Sequence, residues 1–271
     1  MNSKIEYSEI NTFSEFNECI ELQRKIFGLS DIDIIPVAIL NIIARKNPFM
    51  GLLVGIFKNT ELKREMIGFS ISLTSGINNS IYAIATGVLP EYQNKMYGYG
   101  VILKVRELAI ENNVNTIYTL YDPLESNLGR LYMNRFGFVG TKFIENAYQL
   151  DDEVTLVDEI PNDKILVEWD PVSETTINKI NGDFKHLRLN EALEKYPVVD
   201  NIKSIKDSSV LVKIPENFKD IKIKNPSLAK NYRNKVRPIF RRYINDYNFK
   251  LTNSFTGKIN KQRYTYYLLE K

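Results

Sequence analysis

The sequence predicts a mixed α/β (α+β) fold: a mostly antiparallel central sheet with flanking helices, followed by a C-terminal α+β extension. Three observations predict it. Residues 51–57 and 66–73 are apolar runs on either side of a polar turn, the pattern of a hairpin. Residues 100–111 put Val101, Val105, Leu108 and Ala109 on one helical face, directly after a strand pattern. Further strand patterns recur late in the chain, at residues 165–169, 210–214 and 263–269.

Taken in order, residues 4–10 alternate as a short strand. Thr12 or Ser14 can cap a helix whose apolar stripe is Phe16, Ile20, Ile26 and Phe27, ending at Gly28. Residues 36–44 read as a second helix with Pro36 at its first turn. The hairpin follows, then a strand over 81–89, a polar glycine-containing loop, and a helix from about Gly100. Residues 116–121 form a strand ended by Asp122-Pro123, residues 126–136 a helix stopped by Gly137, and residues 138–144 another strand. Residues 227–243 are helix-like, with Pro238 expected to kink or split them. Residues 249–255 and 263–269 flank a 256–262 turn as a final hairpin, and residues 170–209 show no clean period.

Composition narrows the class. The 271 residues are 44% hydrophobic and 25% charged, an ordinary globular balance. No apolar run is long enough to span a bilayer. The first ten residues carry Glu6 and Glu9 and no apolar core, so a secretory signal is not expected. One cysteine, Cys19, excludes an intramolecular disulfide; with one histidine it argues against structural zinc, and a cytoplasmic, metal-free protein is expected. A net charge of +3 does not imply nucleic acid. The basic stretch 219–242, with Arg233 and Arg237 in it, reads first as a solvated helix face with its aromatics packed inward, with contact to nucleic acid or to an anionic ligand as alternatives; the 151–163 stretch is acidic.

The chemically informative stretch is residues 88–104. A strand ends at Pro90, a helix follows, and between them lie polar residues and Gly98. A helix start leaves backbone N–H groups without internal partners, and its dipole attracts an anion. Gly98 and Gly100 let a phosphate approach the backbone, and Lys95 adds charge. The same stretch also reads as a plain strand-to-helix connection. A dinucleotide fingerprint fails at Leu103, where a third glycine belongs, and no Gly-Lys-Ser/Thr of a P-loop follows.

Lys95-Met96-Tyr97-Gly98-Tyr99-Gly100 resembles the coenzyme A loop, Gln/Arg-x-x-Gly-x-Gly/Ala, of the GNAT (Gcn-related N-acetyltransferase) superfamily. Lys95 stands in the first position and Gln93 falls two residues early. The order β-α-α-β-β-β-α-β-α-β over residues 4–144 is that of the superfamily. Leu89-Pro-Glu-Tyr, Tyr121-Asp-Pro-Leu-Glu-Ser, Asn146-Ala-Tyr148, Ile160-Pro-Asn-Asp163, Leu166-Val-Glu-Trp-Asp170 and the closing Tyr-Tyr-Leu-Leu-Glu-Lys are similar to a prokaryotic subgroup of mostly unassigned substrate.

The resemblance implies an N-acyltransferase taking acetyl-CoA, or another short acyl-CoA such as succinyl-CoA, to the amine of a small molecule by direct attack in a ternary complex. It implies a GNAT domain over 1–150 that binds acyl-CoA, and a 151–271 region packed on it that completes the acceptor pocket. The co-substrate falls to Val88, Leu89, Lys95, Met96, Tyr97, Gly98, Tyr99, Gly100 and Val101. The pantetheine arm lies where strands 85–89 and 117–121 splay, with Gly87 fitting a bulge that starts the splay or simply a packing position. Tyr132 is the candidate acid for the leaving thiolate, five residues before Gly137 where the family spacing is four. Asp122, Asn146, Tyr148 and Asp163 are candidate acceptor-pocket residues. The base is left open among Asp122, Glu125, Glu145 and a water chain, and His186 reads as a surface residue. A catalytically degenerate module that binds CoA or another ligand is the alternative. Neither membrane nor nucleic acid is an expected partner, and a homodimer is left open.

Overall fold

The strand Gly51–Asn59 (β2) is buried along its first seven residues, the pattern of a strand covered on both faces. It lies inside the sheet of the first of two compact units, Met1–Thr119 and Leu120–Lys271; the structure, a computed structural model, describes residues 4–148, 160–201 and 207–271. The sheet of the first unit runs in the order β1 (Lys4–Glu9), β2, β3 (Arg64–Thr74), β4 (Ser80–Val88) and β5 (Thr116–Tyr121). Its first three pairings are antiparallel; β4 and β5 are parallel. Helices α1 (Phe13–Phe27) and α2 (Val37–Ile43) bury Phe16, Cys19, Leu22, Leu40 and Ile43 against Leu53, Phe57, Phe69 and Ile71. Leu52, Val54 and Ile56, on the alternate face of β2, are buried too. Helix α3 (Tyr97–Glu111) contacts β2 and β3 through a stripe that includes Val101, Val105, Leu108 and Ala109.

The second unit is built on the order β7 (Lys164–Trp169), β6 (Val139–Ile144), β10 (Lys250–Ile259), β11 (Gln262–Glu270), β9 (Ser209–Ile214) and β8 (Val198–Val199). All its pairings are antiparallel except β8 with β9. The late strands therefore pair with β6, from the GNAT-like stretch. A short helix α4 (Ser126–Gly129) passes directly into a wide, π-helical turn, Arg130–Phe136.

The predicted elements stand with local corrections. Helix α3 starts at Tyr97, three residues before the expected Gly100. The last hairpin turns on Asn260 and Lys261 alone, both at positive φ, not on residues 256–262; two left-handed residues match the twist of the flanking strands. Pro238 neither ends nor splits its helix: α8 (Pro226–Phe240) runs through it and then widens into a second π-helical turn, Arg241–Asp246. The aperiodic 170–209 stretch holds α5 (Glu174–Asn181), α6 (Leu189–Lys195) and β8, elements too short to show a period. Helix α7 (Phe218–Lys224) precedes α8. Most of the acidic stretch, residues 151–159, lies outside the described residues. Among the described residues no helix is long and apolar enough to cross a membrane, and no group of three or more His, Cys, Asp or Glu could hold a metal ion.

Candidate active site

In the first unit, β4 and β5 pair only from Ser80↔Thr116 to Ala83↔Thr119, whereas β4 runs on to Val88. A register shift against β3 falls at the same place, between Ala83 and Ala85. The bulged residue is Ile84, not Gly87. An added Cβ on Gly87 would meet Ile26 and Phe27 at 2.8–2.9 Å, so its glycine is a packing requirement. Thr119 closes the end of the paired stretch, its Oγ1 donating to the Ala83 carbonyl over 2.9 Å.

After Val88 and Leu89 a short 3₁₀ turn, Pro90–Tyr92, leads to α3. Gln93 Nε2 donates to the Val88 carbonyl over 2.9 Å, so this early glutamine closes the loop on itself. Lys95 Nζ donates to the Glu91 carbonyl and lies 5.3 Å from the centre of the Tyr92 ring. Met96, at φ 65° and exposed, precedes the helix and gives it no side-chain cap. The two glycines have different reasons. A Cβ on Gly98 would meet nothing within 4 Å; one on Gly100 would strike the Tyr7 ring at 2.3 Å. Gly98 leaves open space over the first helical turn, and Gly100 makes room for an aromatic side chain. Tyr97 and Tyr99 are half-buried in that turn, and Val101 is buried.

In the second unit, Tyr132 sits in the wide turn, half-buried, with its ring edge-on to Tyr121 at 5.5 Å and tilted on Phe138 at 4.8 Å. Burial pushes its hydroxyl up to about 12, so it holds its proton at neutral pH. The wide register explains its spacing. Its carbonyl accepts from the N–H of Gly137, five residues on, and Met133, at the usual spacing of four, is fully buried in the core. Four tertiary hydrogen bonds hold the turn. Lys179 Nζ donates to the Met133 carbonyl over 2.8 Å, Trp169 Nε1 to the Phe136 carbonyl over 2.8 Å, and the Asn134 amide exchanges two bonds with the Ser254 backbone.

The four candidate acceptor residues fall in one polar cluster of this unit. Asp163 is fully buried and accepts from Arg237 Nε over 2.8 Å and from its Nη2. Asn146, exposed at φ 46°, takes a 3.0 Å bond from the same Arg237 and donates its N–H to Asp163 over 3.1 Å. Asp122 pairs with Arg233 and lies 4.0 Å from Lys164 Nζ. Tyr148, 54% exposed, exchanges bonds with Asn162 and faces Lys164 Nζ at 5.9 Å from its ring centre. Of the base candidates, Asp122 is held by Arg233 and Glu145 by Arg241 at 3.5 Å. Glu125 is half-buried, and burial with the adjacent Asp122 raises its carboxyl above the usual range. His186 is exposed, against Phe184.

Sequence reading named Arg233 and Arg237 only as part of a basic run, mainly a solvated face, and missed their aspartate partners; Lys164 it did not mark. Their signal was the spacing: Arg233 and Arg237 are one helical turn apart, on the same side of α8 as the buried Val236 and Phe240.

No protein-family model matches the sequence, and no curated protein matches it. The chain is similar to several solved structures at low identity. One is a putative acetyltransferase of Acinetobacter baylyi ADP1, 13% identical, with a TM-score of 0.49 over 63% of this chain and 94% of that one. A second is the ribosomal-protein-S18-alanine N-acetyltransferase of Escherichia coli, 12% identical, with a TM-score of 0.48 over 63% and 96%. A third is a probable acetyltransferase of Staphylococcus epidermidis ATCC 12228, 15% identical, with a TM-score of 0.47 over 62% and 99%. Solved GNAT-family acetyltransferases are among the matches, the superfamily that the sequence motifs resemble.

Proposed function

We propose that the protein is an acyl-CoA-dependent N-acyltransferase, with acetyl-CoA as default donor and a small-molecule amine as acceptor. The observation that carries the reading is the start of α3: a helix of fifteen residues with no side-chain cap, opening behind Met96 at positive φ, with Gly98 facing open space. The N–H groups of such a turn suit a pyrophosphate. It follows a β4 that outruns its parallel partner at Ala83, which supports a place for the pantetheine arm along residues 84–88. Val88, Leu89 and 95–101 line this co-substrate site; Lys95 contributes charge from the loop.

The reaction needs a neutral amine, proximity and a proton for the leaving group. A base takes one proton from the substrate ammonium. The amine nitrogen then attacks the thioester carbonyl, the C–S bond breaks, and the nitrogen loses its second proton as the amide forms. Tyr132 gives its phenolic proton to the departing thiolate and regains one afterwards; a hydroxyl that stays protonated at neutral pH suits this role. Asp122, Asn146, Tyr148 and Asp163 belong to the acceptor side.

Two measurements test the proposal. Coenzyme A should raise the melting temperature by mass action, in proportion to the logarithm of its concentration. Tyr132→Phe should lower kcat by about 10²-fold with little change in the affinity for the donor. Melting that ignores coenzyme A rejects the co-substrate site, and an unaltered kcat returns Tyr132 to a packing role.

A further inference from the structure

Helix α8 presents two arginines one turn apart, each to one aspartate, and only one of them is satisfied. Arg237 donates Nε and Nη2 to Asp163, shares Nη2 with Asn146, and holds Nη1 4.0 Å from Glu145. Among the described residues, Arg233 donates Nη2 to Asp122 and nothing more: its Nε and Nη1 are buried without a hydrogen-bond partner there, in a side chain 1% exposed. Its guanidinium lies 5.2 Å from the centre of the Phe218 ring, a contact that favours the cation but accepts no N–H. A buried guanidinium N–H without an acceptor is costly, and among the described residues no group supplies one, so the site has room for a further acceptor.

The charges say which kind. Lys164 Nζ stands 4.0 Å from the same Asp122 carboxylate, so two cations share one anion. Glu125 lies beside them, its carboxyl raised above the usual range by burial and by Asp122. Burial pushes the Lys164 ammonium below its ordinary value; Asp122 opposes this, and Arg233 and Lys222 add smaller contributions in the same direction as burial. Asp122 and Lys164, at 11% and 19% side-chain exposure, carry the cluster out to solvent. We propose that Arg233 and Lys164 form a binding site for a carboxylate group on the substrate. An acceptor that carries both an amine and a carboxylate would supply it, and so would a dicarboxylic acyl group on the donor. The kinetic half of this inference rests on the acyltransferase reading; the binding half does not.

The test uses matched pairs that differ only in the carboxylate. For the acceptor these are L-lysine against cadaverine and β-alanine against propylamine, with acetyl-CoA. For the donor they are succinyl-CoA against butyryl-CoA, with cadaverine. In one of the two arms the carboxylate member should be preferred about 10²-fold in kcat/KM and in calorimetric affinity. Arg233→Lys, which loses the forked donors, should bring that preference within about threefold. Asp122→Asn, which removes the competing carboxylate, should instead tighten binding of the preferred member by about fivefold or more. It keeps the test decisive if Arg233→Lys fails to fold. A preference below about threefold in both arms, its survival in Arg233→Lys, or weaker binding to Asp122→Asn overturns the proposal. Preferential binding without transfer from any donor would uphold the carboxylate site and reject the acyltransferase reading.

Discussion

Helices α1 and α3 are both fifteen residues long and both belong to the first unit, yet they begin in opposite ways. At α1, Thr12 Oγ1 accepts the Glu15 N–H over 3.3 Å while the Glu15 carboxylate accepts the N–H groups of Asn11 and Thr12 at 3.0 Å. Arg64 pairs with that carboxylate over 2.6 Å. Every available acceptor there comes from the chain itself. At α3 the capping position holds a methionine, and the first turn carries two glycines and no acid. Both solutions obey the same rule, that a helix start requires acceptors. One start is completed by the chain's own side chains; the other, left uncapped, is the one proposed for coenzyme A.

The strongest way to break this contrast is Gly98→Glu. The new side chain meets open space, so the melting temperature should stay near wild type, while a carboxylate over the bare turn should weaken coenzyme A by about 10²-fold or more. A folded variant that binds coenzyme A normally would mean that the open start is ordinary. Next is the burial of Lys179, whose ammonium is pushed down to about 8. Unfolded, it titrates near its ordinary value, so between these two pH values the unfolded chain binds more protons and stability must rise with pH. Relative to Lys179→Met, the wild type should gain up to about 3 kcal/mol from pH 8 to 10.5, read by urea melts. A flat difference would show that Lys179 does not bring a charge into the core.

Gly100→Ala sharpens the contrast within α3 itself. The added methyl strikes Tyr7, so it should destabilise by about 1–3 kcal/mol, with coenzyme A affinity following stability and not charge. Smallest is Thr12→Ala, which should cost about 1 kcal/mol and leave coenzyme A binding alone. Loss of binding in Thr12→Ala would erase the distinction between the two starts.

The sequence was most legible where periodicity is long. The capping residues Thr12 and Gly28, the 51–74 hairpin and the stripe of α3 could be read because each repeats over several turns or residues. Glycine was legible as a position but not as a reason. Gly98, Gly100 and Gly87 look alike in a string, and only the atoms around each Cβ separate open space, Tyr7 and the Ile26–Phe27 pair. The acceptor cluster was half legible. Asp122, Asn146, Tyr148 and Asp163 were marked by local motifs, but the arginines that hold Asp122, Asn146 and Asp163 lie 74 to 111 residues away on α8, beyond any local pattern. The wide turn at Arg130–Phe136 was visible only as an odd spacing, because its stability comes from Lys179, Trp169 and Ser254 and not from its own residues.

The single thiol of the chain gives the first unit a clock. Cys19 is fully buried on α1, and burial pushes its thiol up to about 12, so a thiol reagent at neutral pH finds almost no thiolate in the closed protein. Alkylation must wait until α1 lifts from Leu53, Phe69 and Ile71, the residues that pack around it. Because the chain has no second cysteine, each molecule can be labelled once, and the labelling rate reports how readily that helix opens. Mass spectrometry of the intact chain would follow those openings over time, with and without coenzyme A, without any probe being engineered.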